Sequence, residues 1–177
     1  MTHYLVRVSA PVLLFLATSL ALAIDETRII DLTHPFDEHT ISWPNARPYE
    51  LEIVATGMTK AGHWYSANNF SMAEHSGTHM DAPIHFAERK RDVAGVPIQQ
   101  LIGPAAVIDV SAKAYHDSDY RVTVEDIHSW ESLYGRVPKG ALVLMYSGWA
   151  KYWGDRQKYF GTDNPSDITS LHFPSFS

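Results

Sequence analysis

Residues 49–55 alternate apolar and polar side chains, the period of two expected of a strand with one buried face. Residues 64–72 repeat that alternation and run directly into a histidine-rich turn, and residues 28–32 read as a further short strand, so the first half of the chain is predicted to be β-rich. The pattern then changes. Residues 104–110 and 141–146 are continuous apolar runs of strand length, as strands buried on both faces are. Between them, Thr123-Val124-Glu125-Asp126 has the make-up of a helix start, with Thr123 as N-cap and acidic residues in the first turn. The predicted helix runs to Tyr134, where Gly135 stops it, and residues 151–159 suggest a second, shorter helix. Strands first, then strand and helix alternating, predict an α/β or α+β domain with a mixed sheet. No internal repeat or low-complexity linker interrupts it.

Composition supports one globular domain: of 177 residues, 45% are hydrophobic and 19% charged, too apolar for a disordered chain. The net charge of −6 is spread along the sequence, and the basic triplet Arg89-Lys90-Arg91 is too short for a phosphate-binding surface, so nucleic acid is not an expected partner. At the N-terminus, Arg7 precedes an apolar run over residues 10–22, and Ala21-Leu22-Ala23 supplies the small residues a signal peptidase reads. Residues 1–23 are therefore expected to be a signal peptide, with 24–177 the mature domain of a secreted, extracellular protein. The apolar run is short and ends abruptly at Asp25-Glu26, so no stable membrane span is expected after cleavage; an uncleaved anchor is the alternative. There is no cysteine, so core packing and metal, rather than disulfides, must hold the fold. Asn69-Phe70-Ser71 is a glycosylation sequon, but it falls in the strand leading into the turn, where the side chain is expected to be buried or pressed against the site.

That turn carries the chemistry. HSGTHMDAPIH, residues 75–85, holds four metal-capable side chains. His75, His79 and Asp81 offer two imidazoles and a carboxylate, a set that suits Zn²⁺, Mn²⁺ or Fe²⁺ and leaves coordination positions open for catalysis. Gly77, Thr78 and Pro83 argue for a tight turn rather than a helix, with Gly77 free to take a positive φ and the Thr78 hydroxyl placed to fix the backbone. His85, beyond the rigid Ala82-Pro83 step, can return to the same centre as a fourth ligand or as a proton-transfer group.

HSGTHMDAPIH resembles the H-x-G-T-H-x-D-x-P-x-H signature of the metal-dependent cyclase family, which includes bacterial-type kynurenine formamidases and isatin hydrolases. Every fixed position is matched. Asp31-Leu32-Thr33 and Ser42-Trp43-Pro44 upstream, and Tyr146-Ser147-Gly148-Trp149, Tyr152-Trp153-Gly154 and Leu171-His172-Phe173-Pro174 downstream, also resemble family blocks. The resemblance implies a swivelling β/β/α fold with a mixed, barrel-like sheet, and a homo-oligomer for the full-length form. It further implies a divalent metal, Zn or Mn, on His75, His79 and Asp81, with His85 as general acid/base and Trp43 stacking on the substrate's aryl ring. The implied reaction is hydrolysis of an amide C–N bond in a small aromatic substrate of the N-formylkynurenine type. An isatin-type cyclic amide, or an inactive metal-binding form, is the alternative. Binuclear members complete a second metal with a histidine and a glutamate further downstream, whereas this sequence stops three residues after Pro174. A C-terminally truncated, poorly stable form with an exposed sheet edge is therefore expected. His172 is expected to be a structural, hydrogen-bonded histidine.

Overall fold

A computed structural model describes residues 25–177, and the expected signal peptide lies outside them. The chain divides after Leu32 into two units. In the first, Asp25 caps a single 3-10 turn, Glu26–Arg28, its carboxylate accepting from the Thr27 N–H at 3.1 Å and from the Thr27 hydroxyl at 2.6 Å. The strand expected over residues 28–32 does not form. Ile29, Ile30 and Leu32 are exposed, and among the described residues no strand pairs with them, so their apolar character has no ladder to join.

The second unit is mixed α/β. Strand β1 (Glu50–Met58) pairs antiparallel with β2 (Trp64–Ser71), closing through a turn in which the Thr59 N–H donates to the His63 carbonyl at 2.8 Å. A bulge between Ile53 and Ala55 leaves Val54 without a partner. The register places Leu51 opposite Phe70, Ile53 opposite Asn68 and Met58 opposite Trp64 on one face, and Glu50 opposite Ser71 and Glu52 opposite Asn69 on the other. The hairpin is thus amphipathic, as its alternation predicts, yet the five large apolar side chains of that first face are all more than half exposed. Asn69 is exposed too, its amide donating to Glu52 at 2.9 Å, which corrects the expectation of a buried sequon.

Strands β3 (Ala105–Asp109) and β5 (Leu142–Tyr146) form a parallel pair; α1 (Ser111–His116), β4 (Arg121–Val122) and α2 (Val124–Tyr134) lie between them in sequence. The core gathers here: Ile108, Val110 and Val122 are buried, with Tyr120, Ile127, Trp130 and Met145 packed against them. Helix α2 begins where its sequence predicts. The Thr123 hydroxyl accepts from the Asp126 N–H at 3.2 Å while the Asp126 carboxylate accepts from the Thr123 N–H at 2.8 Å, a reciprocal capping box, and Gly135 ends the helix at φ 85°. Burial on both faces, expected for the two apolar runs, is not what forms. In β3 Ala106 and Ile108 are buried while Val107 is 49% exposed, and Leu142, Val143, Leu144 and Tyr146 of β5 are partly open, because the pair has no further strand beside it among the described residues.

The helix expected over 151–159 is two pieces, a 3-10 turn Trp149–Tyr152 and α3 (Arg156–Phe160), separated where Gly154 takes φ 90°. Strand β6 (Ser175–Phe176) pairs parallel with β4. Every sheet among the described residues has two strands, so the barrel-like closure expected from the resemblance is not seen there. No described helix is long and apolar enough to cross a membrane.

Candidate functional site

β2 delivers the chain from Ser71 into the turn that carries the histidines. Gly77 sits at φ 63°, and a β-carbon on it would lie 2.5 Å from the Phe36 ring and 3.1 Å from the Thr40 methyl, so both its conformation and its lack of a side chain are needed. The Gly77 N–H donates to the Ile41 carbonyl at 3.2 Å, Ser42 bridges Ser76, and the Thr78 hydroxyl accepts from the His34 N–H at 3.0 Å. These bonds pin the turn against residues 34–42 from both sides, and Thr78 does what its place in the sequence predicts.

On this turn His75, His79 and Asp81 each bring one ligand atom within 4.8 Å of the others. The Asp81 Oδ1 lies 2.7 Å from His75 Nδ1 and 3.2 Å from His79 Nε2. His79 Nδ1 is 2.9 Å from the Gly77 carbonyl, which can only accept, so Nδ1 donates there and Nε2 is the ring nitrogen left to face Asp81. Across the 3.2 Å between Nε2 and Oδ1 either a proton on the ring or a shared cation can join the two atoms. Metal bonds of about 2.1 Å set neighbouring donor atoms roughly 3 Å apart, so this set fits a divalent ion. Burial would raise the Asp81 carboxyl, but the hydrogen bond with His75 and the charges of His79, His75 and His85 outweigh it and hold it below the usual carboxylate range.

His85 ends the short 3-10 turn Pro83–His85, opened by Pro83 at its first position, and its ring lies 3.6 Å from that of His75, tilted by 33°. It stands beside the three-residue cluster rather than in it. Trp43, 39% exposed, is held edge-on by Phe160 at 5.8 Å and Phe173 at 6.0 Å. His75, His79, Asp81, His85 and Trp43 line one cleft of about 550 Å³, with Ala46, Ala73 and Phe86 completing its wall. All five site residues predicted from sequence therefore meet in one place. Phe86 was missed: it is 89% exposed with its ring 4.1 Å from that of His85, and the only signal was an aromatic residue directly following the last histidine of the motif. His172 lies elsewhere, its Nδ1 2.8 Å from Asp119, in the structural role expected of it. His34 stacks on Trp153 at 4.3 Å.

Comparison with known proteins gives this cleft a setting. The family model described as "Putative cyclase" matches residues 30–177. The isatin hydrolase of Roseibium aggregatum is 35% identical over 117 residues, covering 64% of this chain and 43% of that protein. The kynurenine formamidase of Bacillus thuringiensis is 34% identical over 82 residues, 46% of this chain and 38% of its own. Among solved structures, isatin hydrolase A of Ralstonia solanacearum superposes with a TM-score of 0.69 at 28% identity, covering 84% of this chain and 58% of that one. Isatin hydrolase A of Labrenzia aggregata, bound to benzyl benzoate, superposes equally well at 33% identity. The mixed α/β unit is thus similar to the isatin hydrolase fold, and the chain spans less than half the length of the curated relatives it matches. Because the family model accounts for nearly all of the described chain, histidine turn included, this protein belongs to the cyclase family.

Proposed function

We propose that this protein is a metal-dependent hydrolase cleaving the amide C–N bond of a small aromatic substrate, an aryl formamide of the N-formylkynurenine type. The observation that carries the reading is the single cleft in which a cation-seeking His75, His79 and Asp81 set meets His85 and the exposed rings of Trp43 and Phe86. A divalent metal, Zn or Mn, held by those three residues supplies Lewis acidity to a carbonyl and makes water more acidic. The chain's own groups do the remaining work. Trp43, braced by Phe160 and Phe173, offers an indole to an aryl ring. Among the described residues no side chain hydrogen-bonds the His85 ring nitrogens, so the ring can take a proton from water and give one to the departing nitrogen.

Isatin hydrolases recur among both the sequence relatives and the solved structures, which favours a second reading, opening of an isatin-type cyclic amide. There the leaving nitrogen stays tethered to its ring. A third reading is a metal-binding member without turnover. Finer features belong to the same proposal: export by the signal peptide read at residues 1–23, a barrel-like sheet, and a homo-oligomer covering the apolar faces that β1, β2 and β5 leave open.

The test is metal content together with hydrolysis of an N-formyl aryl amine and of isatin, before and after chelation. Bound metal with formamide turnover, lost on chelation and restored by Zn²⁺ or Mn²⁺, is the expected result. Isatin turnover alone moves the assignment to the cyclic amide, metal without turnover to the third reading, and absence of metal overturns the proposal.

A further inference from the structure

Arg156 reaches across the fold. From α3 its Nη1 donates to the Ser42 carbonyl at 3.1 Å, joining residues 114 positions apart. Ser42 is buried and bridges the equally buried Ser76, so the bond grips the point where Trp43 leaves one side of that bridge and His75 the other. The guanidinium carbon also stands 5.5 Å from the centre of the Phe160 ring, whose edge-on contact supports Trp43. One cation thereby touches both supports of the aryl wall, its backbone and its ring.

The arrangement costs free energy. Arg156 Nε and Nη2 are buried without a hydrogen-bond partner, and among the described residues no carboxylate pairs with the guanidinium. An apolar side chain of similar length would avoid that desolvation, so stability of the fold alone does not account for an arginine at this position. We propose that Arg156 is a positioning residue: by clamping the Ser42 carbonyl it fixes where the Trp43 wall stands relative to the His75, His79 and Asp81 cluster. The inference rests on the reading of that cluster as a metal site for its metal readout, but not for its Trp43 readout.

Arg156→Met removes the clamp and keeps the bulk. Three quantities decide: thermal melting, Co²⁺ affinity from visible absorption, and the emission of Trp43, obtained by subtracting the spectrum of the matching Trp43→Phe protein. Arg156→Met is expected to melt near the wild-type temperature, since relief of the buried guanidinium offsets the Ser42 carbonyl it leaves without a donor, to bind Co²⁺ about 10-fold more weakly, as loss of a residue supporting metal ligands does, and to shift Trp43 emission toward that of a solvated indole. Arg156→Lys, which retains charge and a donor but not the fork, should fall between. A folded Arg156→Met with wild-type Co²⁺ affinity and wild-type Trp43 emission overturns the proposal. If wild-type protein binds no Co²⁺, the metal reading fails and the Trp43 emission decides alone, an unchanged spectrum overturning the clamp. If Arg156→Met does not fold, Arg156→Lys decides: wild-type behaviour in both readouts overturns the proposal, and weakened binding with a shifted spectrum at unchanged melting supports it.

Discussion

His79 owes its readiness to one carbonyl. With Nδ1–H bound to Gly77, only Nε2 can turn toward Asp81, so the turn selects the tautomer before any ligand arrives. The same glycine cannot be replaced cheaply: Gly77→Ala places a methyl 2.5 Å from the Phe36 ring at φ 63°, and should cost about 1–3 kcal/mol while weakening metal binding, measured by thermal melting and zinc titration. His85→Ala should instead leave metal content intact and lower turnover by about 10²- to 10⁴-fold, the usual reach of general acid/base catalysis. Loss of metal in that variant would reassign His85 as a ligand. At this scale the grouping of the candidate residues was legible, because the side chains that could hold a metal fall within a few positions on one turn and local chain geometry brings them together. Arg156 was not legible. Its partner lies 114 residues away, and nothing in an Asp-Arg-Gln stretch marks it as belonging to the site.

Among the elements, α2 is the one most firmly set by its own residues, and Asp126 anchors it. Burial would raise this carboxyl, but Lys113, the Thr123 N–H, the Tyr120 hydroxyl and the Thr123 hydroxyl outweigh it and hold it well below the usual range. A carboxyl depressed on folding contributes stability that is fully present above its unfolded pKa of about 3.9 and is lost as pH falls through the folded value. Asp126→Asn should therefore melt lower at neutral pH, by the equivalent of about 2 kcal/mol, with the gap to wild type narrowing below about pH 4. A gap independent of pH would assign the loss to capping geometry alone. Lys113 is half exposed, and solvent screens its share. The capping box and the Gly135 stop were readable because they are local. The broken helix near Gly154 and the failed strand at 28–32 were not, since each depends on a neighbour that the pattern cannot name.

For the whole molecule, the two-stranded pairs decide behaviour in solution. Leu51, Ile53, Met58, Trp64 and Phe70 present one open apolar face, and β5 adds Leu144 and Tyr146. Such surface drives association, so size-exclusion chromatography should show mass growing with concentration. A monomer at every concentration would contradict this. The α/β class was legible from the order of strands and helices, but the partial exposure of β3 and β5 was not, because a continuous apolar run reads the same whether or not a neighbouring element covers it. The hairpin also sets a timetable. β1 and β2 close over a short turn and can pair within roughly 1–10 μs, whereas the parallel β3–β5 pair and the Arg156 contact must wait for distant chain to arrive. The histidine turn hangs directly from β2, and so a metal ion can be captured by a chain whose hairpin has zipped but whose aryl wall has yet to assemble.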